Sequence, residues 1–152
     1  MQDGLIGHAP EQLAIVGPLW LYALTFSGVS MVFESAKPRS FEGEQDTESA
    51  FVRNVAMVSS LLSPFLLLVH AYWAVVQAGR FDALLAVFGA VFGVVIVASA
   101  VGMAIGAGAP GLGRALRRFS AYVAIASLAF TIWVTWANAY AVINAYLLSH
   151  PR

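Results

Sequence analysis

The chain has 152 residues, 60% of them hydrophobic and 11% charged, and its formal net charge is zero. A soluble domain carries about 25% charged residues, so this composition excludes a surface covered by water, and the balanced charge argues against nucleic-acid binding. Cysteine is absent, which removes disulfides, thiolate catalysis and zinc–thiolate or iron–sulfur sites. Four long apolar runs predict an all-α membrane protein, with four transmembrane helices in an up-down bundle forming a single domain over residues 1–152.

The start of the chain is polar and small, with Gly4, Gly7 and Pro10. Residues 1–12 carry Asp3 and Glu11 but no Lys or Arg, so a cleavable signal peptide is not expected and the first span serves as its own insertion signal. That span is expected over about residues 12–33. Trp20 and Tyr22 fit an interfacial aromatic belt. Trp20, Ser27 and Glu34 share a face at heptad spacing, and Glu34 reads as a solvated carboxylate ending the helix. Residues 34–49 have aqueous loop composition, with Lys37, Pro38, Arg39 and four acidic residues from Glu42 to Glu48. These carboxylates lack the order of a calcium loop.

The second span is expected over about residues 50–77. Ser59, Ser63, His70 and Gln77 fall on one stripe within about 40° of each other. Pro64 removes a backbone donor, and Ser59, Ser60 or Ser63 can bond the freed carbonyl. Gly79 and Asp82 mark a short turn, a helix stop followed by an N-cap. The turn predicts that the second and third spans form an adjacent antiparallel hairpin.

The third span, about residues 83–106, is marked by small residues. Gly89, Gly93, Gly102 and Gly106 are spaced to let two helix backbones approach closely, within the bundle or between subunits. Residues 107–118 read as a second loop, with Pro110 and the basic trio Arg114, Arg117 and Arg118 expected to touch anionic headgroups. The fourth span, about residues 119–148, contains no charged residue. Ser120, Ser127, Thr131, Thr135 and Asn138 lie on one stripe at about 100° per residue. Tyr122, Trp133, Trp136 and Tyr140 lie on the opposite side.

Lys37, Arg39, Arg53, Arg114, Arg117 and Arg118 collect on one side of a four-span chain, leaving Arg80 and Arg152 on the other. The loops at 34–49 and 107–118 are therefore expected in the cytoplasm, with the N and C termini outside. The alanine-rich and glycine-rich spans favour a bacterial inner membrane.

The chemistry is sparse. His70 is the one histidine expected within the membrane, where it can ligate haem, shuttle a proton, bond a quinone or simply hydrogen-bond a facing helix. The stripe of Ser59, Ser63, His70 and Gln77 is expected to face that of Ser127, Thr131, Thr135 and Asn138, as interhelical glue or as the wall of a pathway. No catalytic set of Ser–His–Asp or paired-carboxylate type can be assembled at one membrane depth, so an enzyme is not the favoured reading. No metal and no cofactor is expected.

The reading that follows is a non-catalytic integral membrane subunit. It assembles with itself or with a larger membrane complex, through the small-residue face of the third span and the aromatic face of Trp133, Trp136 and Tyr140. The alternatives are a small oligomeric channel or transporter using the polar stripes, and a haem-, quinone- or pigment-binding subunit using His70. The expected partners are the lipid bilayer and other membrane subunits, a homo-oligomer included.

Overall fold

A computed structural model describes residues 9–37, 50–77 and 81–149, with side chains at 19–37, 50–76, 81 and 83–137. Four α-helices account for nearly all of it: α1 (Ala9–Ser35), α2 (Ala50–Gln77), α3 (Leu84–Gly108) and α4 (Pro110–Ser149). They form an all-helical four-helix bundle. Three stretches, Ala50–Val76, Leu84–Gly108 and Pro110–Ala137, are long and apolar enough to cross a membrane.

Paired residues give the helix directions. Trp20 and Ser30 of α1 bond Leu67 and Ser60 of α2, so these two helices are antiparallel. Phe26 meets Phe130 and Glu34 meets Arg117, so α1 and α4 are antiparallel as well. Gly28 lies against Val94 and Gly102 against Val32 and Ser35, so α1 and α3 run parallel. Around the bundle the order is α3, α1, α4, α2, and the side between α2 and α3 closes only loosely. The hairpin expected from the short turn therefore forms without close packing along its length. A one-turn 3₁₀ segment, Phe81–Ala83, leads into α3, whose N-cap is Ala83 rather than Asp82 and carries no side-chain cap bond. What holds α3 is α1.

Residues 107–118, expected as a loop, are helical except at Ala109. There φ is −138° and ψ 73°, and the Ala109 N–H donates to Ile105 O at 2.8 Å. Pro110 takes the first helical position of α4, where a missing N–H costs nothing. Gly113 N donates to Ala109 O at 2.9 Å, which closes the first turn. Glycine stands at 113 for a spatial reason: a Cβ there would lie 3.0 Å from Ala36 O and 3.1 Å from Gly106 Cα. The ends of α1 and α3 and the start of α4 thus meet at backbone distance. With 40 residues, α4 is about 60 Å long, twice the roughly 30 Å of hydrocarbon in a bilayer.

The centre of the bundle holds few large side chains. Leu67 and Val134 are fully buried, and Leu24, Val91 and Ala23 complete the apolar cluster. The other largest fully buried side chains are Thr131, Ser27, Ser30, Ser60, Ser63 and Ser127. Phe51, Phe65, Phe92, Phe119, Trp133 and Trp136 all point outward. Small residues and hydroxyls inside, with bulky apolar groups outside, is the arrangement that lipid rewards, because lipid offers no hydrophobic force between helices and close contact must replace it.

Candidate functional site

The interior polar residues form two connected features. The first is a hydroxyl seam. Ser63 of α2 lies 2.7 Å from Thr131 Oγ1 and 3.2 Å from Ser127 Oγ, both of α4. One turn along, Ser60 lies 2.9 Å from Ser30 Oγ of α1. Periodicity brings this about: Ser127 and Thr131 are one turn apart on α4, and Ser59, Ser60 and Ser63 cover a turn of α2 at the Pro64 break. The serines near Pro64 reach across to other helices. Each such bond between helices is worth about 0.6 to 2 kcal/mol in a bilayer. Ser59 and Ser120 are also buried. Thr135 turns back on its own helix, donating to Thr131 O at 2.9 Å and to Ile132 O at 3.0 Å.

The second feature is an ion pair where α1 ends. Arg117 Nη1 of α4 donates to Glu34 Oε1 at 3.2 Å and to the Glu34 carbonyl at 2.9 Å. Both side chains are only 11% exposed, so Glu34 is not the solvated helix end that the sequence suggested. The guanidinium also satisfies a carbonyl of the last turn of α1, which has no helical partner. Removing one member of such a pair leaves an uncompensated charge, at a cost of about 3 to 5 kcal/mol. Lys37 Nζ stands 3.9 Å from the same Oε1, largely in solvent. Arg114 and Arg118 are exposed, so of the basic trio only Arg117 turns inward. The pairing joins residues 83 apart in sequence, and no local pattern announces it. The heptad of Trp20, Ser27 and Glu34 was the available signal, since all three lie on the inner side of α1. Trp20 Nε1 donates to Leu67 O at 3.2 Å, and Ser27 is buried. Among the described residues, two buried side-chain atoms have no hydrogen-bond partner: Ser27 Oγ and Glu34 Oε2. Both belong to this face of α1.

Beside Glu34 lies a cavity of about 540 Å³. Met31, Glu34 and Ser35 of α1 line it, together with Lys37 just beyond the helix, Met57, Ser60 and Leu61 of α2, and Met103 and Ala107 of α3. It occupies the loosely closed side of the bundle. Met57, Leu61, Met103 and Ala107 are exposed, so it opens on the outer surface between α2 and α3.

The glycines of α3 divide into two pairs. A Cβ at Gly102 would lie 2.8 Å from Ser35 Cβ and 2.5 Å from the Val32 carbonyl oxygen. A Cβ at Gly106 would run into the backbone of Ala36 and Lys37. Gly102 and Gly106 thus belong to the interior contact with α1, with Gly28 meeting α3 from the other side. Gly89 and Gly93 have nothing within 4 Å of a Cβ position.

Trp133 and Trp136 are exposed on the outer face of α4, and Trp133 stacks at a tilt on Phe130 with ring centroids 5.8 Å apart. His70 is half-buried on α2, its ring centroid 6.4 Å from that of Trp73. The side chains of Gln77, Asn138 and Tyr140 lie outside the described residues. Among the described residues, no three His, Asp or Glu side chains come together as a metal-ligand set.

Fold and interior together define the class: a helical bundle with three candidate membrane-spanning helices, held inside, among the described residues, by hydroxyls, glycines and one buried ion pair. No protein-family model matches the chain, and no curated protein and no solved structure matches it either.

Proposed function

We propose that this protein is a non-catalytic integral membrane subunit that associates through the outer face of α3. One observation carries the reading: α3 is the most apolar helix and has two small-residue faces, of which the bundle uses one. Val91, Ala98, Gly102 and Gly106 are buried. On the other side Ala86, Ala90, Gly93, Ala100 and Ala104, with Val97 among them, lie within about 40° of a line along the helix, and all but the half-buried Gly93 are exposed. Lipid chains gain little from such a stripe, whereas a second helix gains close dispersion contact. The occupant is the same stripe of a second copy, which is self-complementary across a two-fold axis. The exposed Trp133 and Trp136 offer a further surface on α4. The hydroxyls of α2 and α4, paired across the interior, support the role of glue.

In this reading the chain has four spans, with α1 as the first. Both termini are outside, and the end bearing Lys37, Arg114, Arg117 and Arg118 faces the cytoplasm of a bacterial cell.

The absence of cysteine allows a clean test. Ala90→Cys and Ala100→Cys should give oxidised dimers in native membranes, and Ile125→Cys on the exposed face of α4 should not. If neither α3 position cross-links while the protein remains folded, the reading fails. Adducts to a different subunit at both positions would keep the interface and replace the occupant.

A further inference from the structure

The cavity between α2 and α3 has a composition that the assembly reading does not use. All three methionines among the described residues, Met31, Met57 and Met103, line it together with Leu61 and Ala107. Methionine is flexible and polarizable, and it suits the wall of a site that takes a chain of variable shape. The same cavity is lined by Glu34 and Lys37. Glu34 has one carboxylate oxygen committed to Arg117 and the other, Oε2, buried without a partner. Lys37 carries its ammonium at the rim, with the side chain 59% exposed. The volume, about 540 Å³, lies in the range of sites for organic ligands, roughly 300 to 1,000 Å³, and far above the need of a bare ion. The position is also telling: Glu34 is in the last turn of α1, at the level where a span gives way to headgroups.

We infer that this cavity is a binding site for a phospholipid whose headgroup carries a protonated primary amine. The ammonium pairs with the Glu34 carboxylate, which lines the cavity and has one oxygen without a hydrogen-bond partner. The phosphate meets the ammonium of Lys37, 3.9 Å from the other carboxylate oxygen. An acyl chain lies against Met57, Leu61, Met103 and Ala107, which are exposed on the open side of the bundle. Charge complementarity selects the headgroup. A choline lipid has a cation but no N–H to donate, and a glycerol lipid presents its anion without a cation for Glu34. The site lies within one chain and stands whether or not α3 pairs with a second copy.

The test uses the full chain in mild detergent and native mass spectrometry, with phosphatidylethanolamine, phosphatidylcholine and phosphatidylglycerol of one acyl length. Phosphatidylethanolamine should be retained about tenfold better than the other two, the worth of one charge-assisted hydrogen bond. Ala107→Trp fills the groove from an exposed position, leaves the Glu34–Arg117 pair alone, and should abolish retention. Lys37→Ala should weaken it while leaving the fold intact. Equal retention of the three lipids would overturn the inference. So would an ethanolamine preference that survives Ala107→Trp.

Discussion

Helices α1 and α3 lie side by side and run the same way, but they are held by different forces. The inner side of α1 is tied by directed bonds: Trp20 to Leu67 O, Ser30 to Ser60, and Glu34 to Arg117. Among the described residues no side-chain hydrogen bond joins α3 to another helix. Its glycines bring it to backbone distance from α1 instead. The lesson is about tolerance. A helix fixed by hydrogen bonds fails when a partner is removed, and a helix fixed by closeness fails when a side chain is added.

The largest effect should come from adding volume where α3 is closest. Gly106→Leu puts a side chain into the backbone of Ala36 and Lys37. Overpacking typically costs about 1 to 3 kcal/mol, but here the obstacle is backbone that cannot swing aside, and the cost should exceed about 5 kcal/mol, the exceptional tail of single substitutions. Denaturant titration of the purified protein should show little folded material. Next comes removal of a charge from the other system. Arg117→Met should cost about 3 to 5 kcal/mol by stranding Glu34. Pairing it with Glu34→Gln should restore most of the loss in the same titration. If the double variant is no better than the single, the pair is not what holds α1 to α4.

Ser63→Ala removes the hydroxyl that meets both Ser127 and Thr131. Its expected cost is about 1 to 2 kcal/mol, readable as a shift in the unfolding midpoint. Smallest is Gly89→Leu, where a Cβ meets nothing. Bundle stability should change by less than about 0.5 kcal/mol, and a larger loss would mean that this part of α3 is packed within the chain.

Parts of this comparison are legible in the residues alone. The second span, expected at 50–77, is the helix Ala50–Gln77, because a continuous apolar run bounded by polar segments leaves little choice of ends. The stripe that unites Ser63 with Ser127 and Thr131 follows from helical period, since hydroxyls in lipid must face protein. Other parts were hidden by physics that spacing does not carry. Gly102 and Gly106 have the same spacing as Gly89 and Gly93, and only the path of α1 decides which pair is inside. Residues 107–118 read as a loop around Pro110, yet proline fits the first turn of α4, and Gly113 answers to a neighbour's backbone rather than to a bend. Glu34 looked like a solvated end because its partner is far along the chain.

Helix α3 has an inner face built on closeness and an outer face that the bundle leaves free. The most direct test compares Gly102→Leu with Gly93→Leu, the same substitution about two and a half turns apart and so on opposite faces, by denaturant titration of the monomeric protein. Gly102→Leu should destabilise the bundle severely, because a Cβ already collides with Val32 and Ser35, and Gly93→Leu should leave the midpoint unchanged. Equal losses at the two positions, or a larger loss at Gly93, would contradict this division of α3.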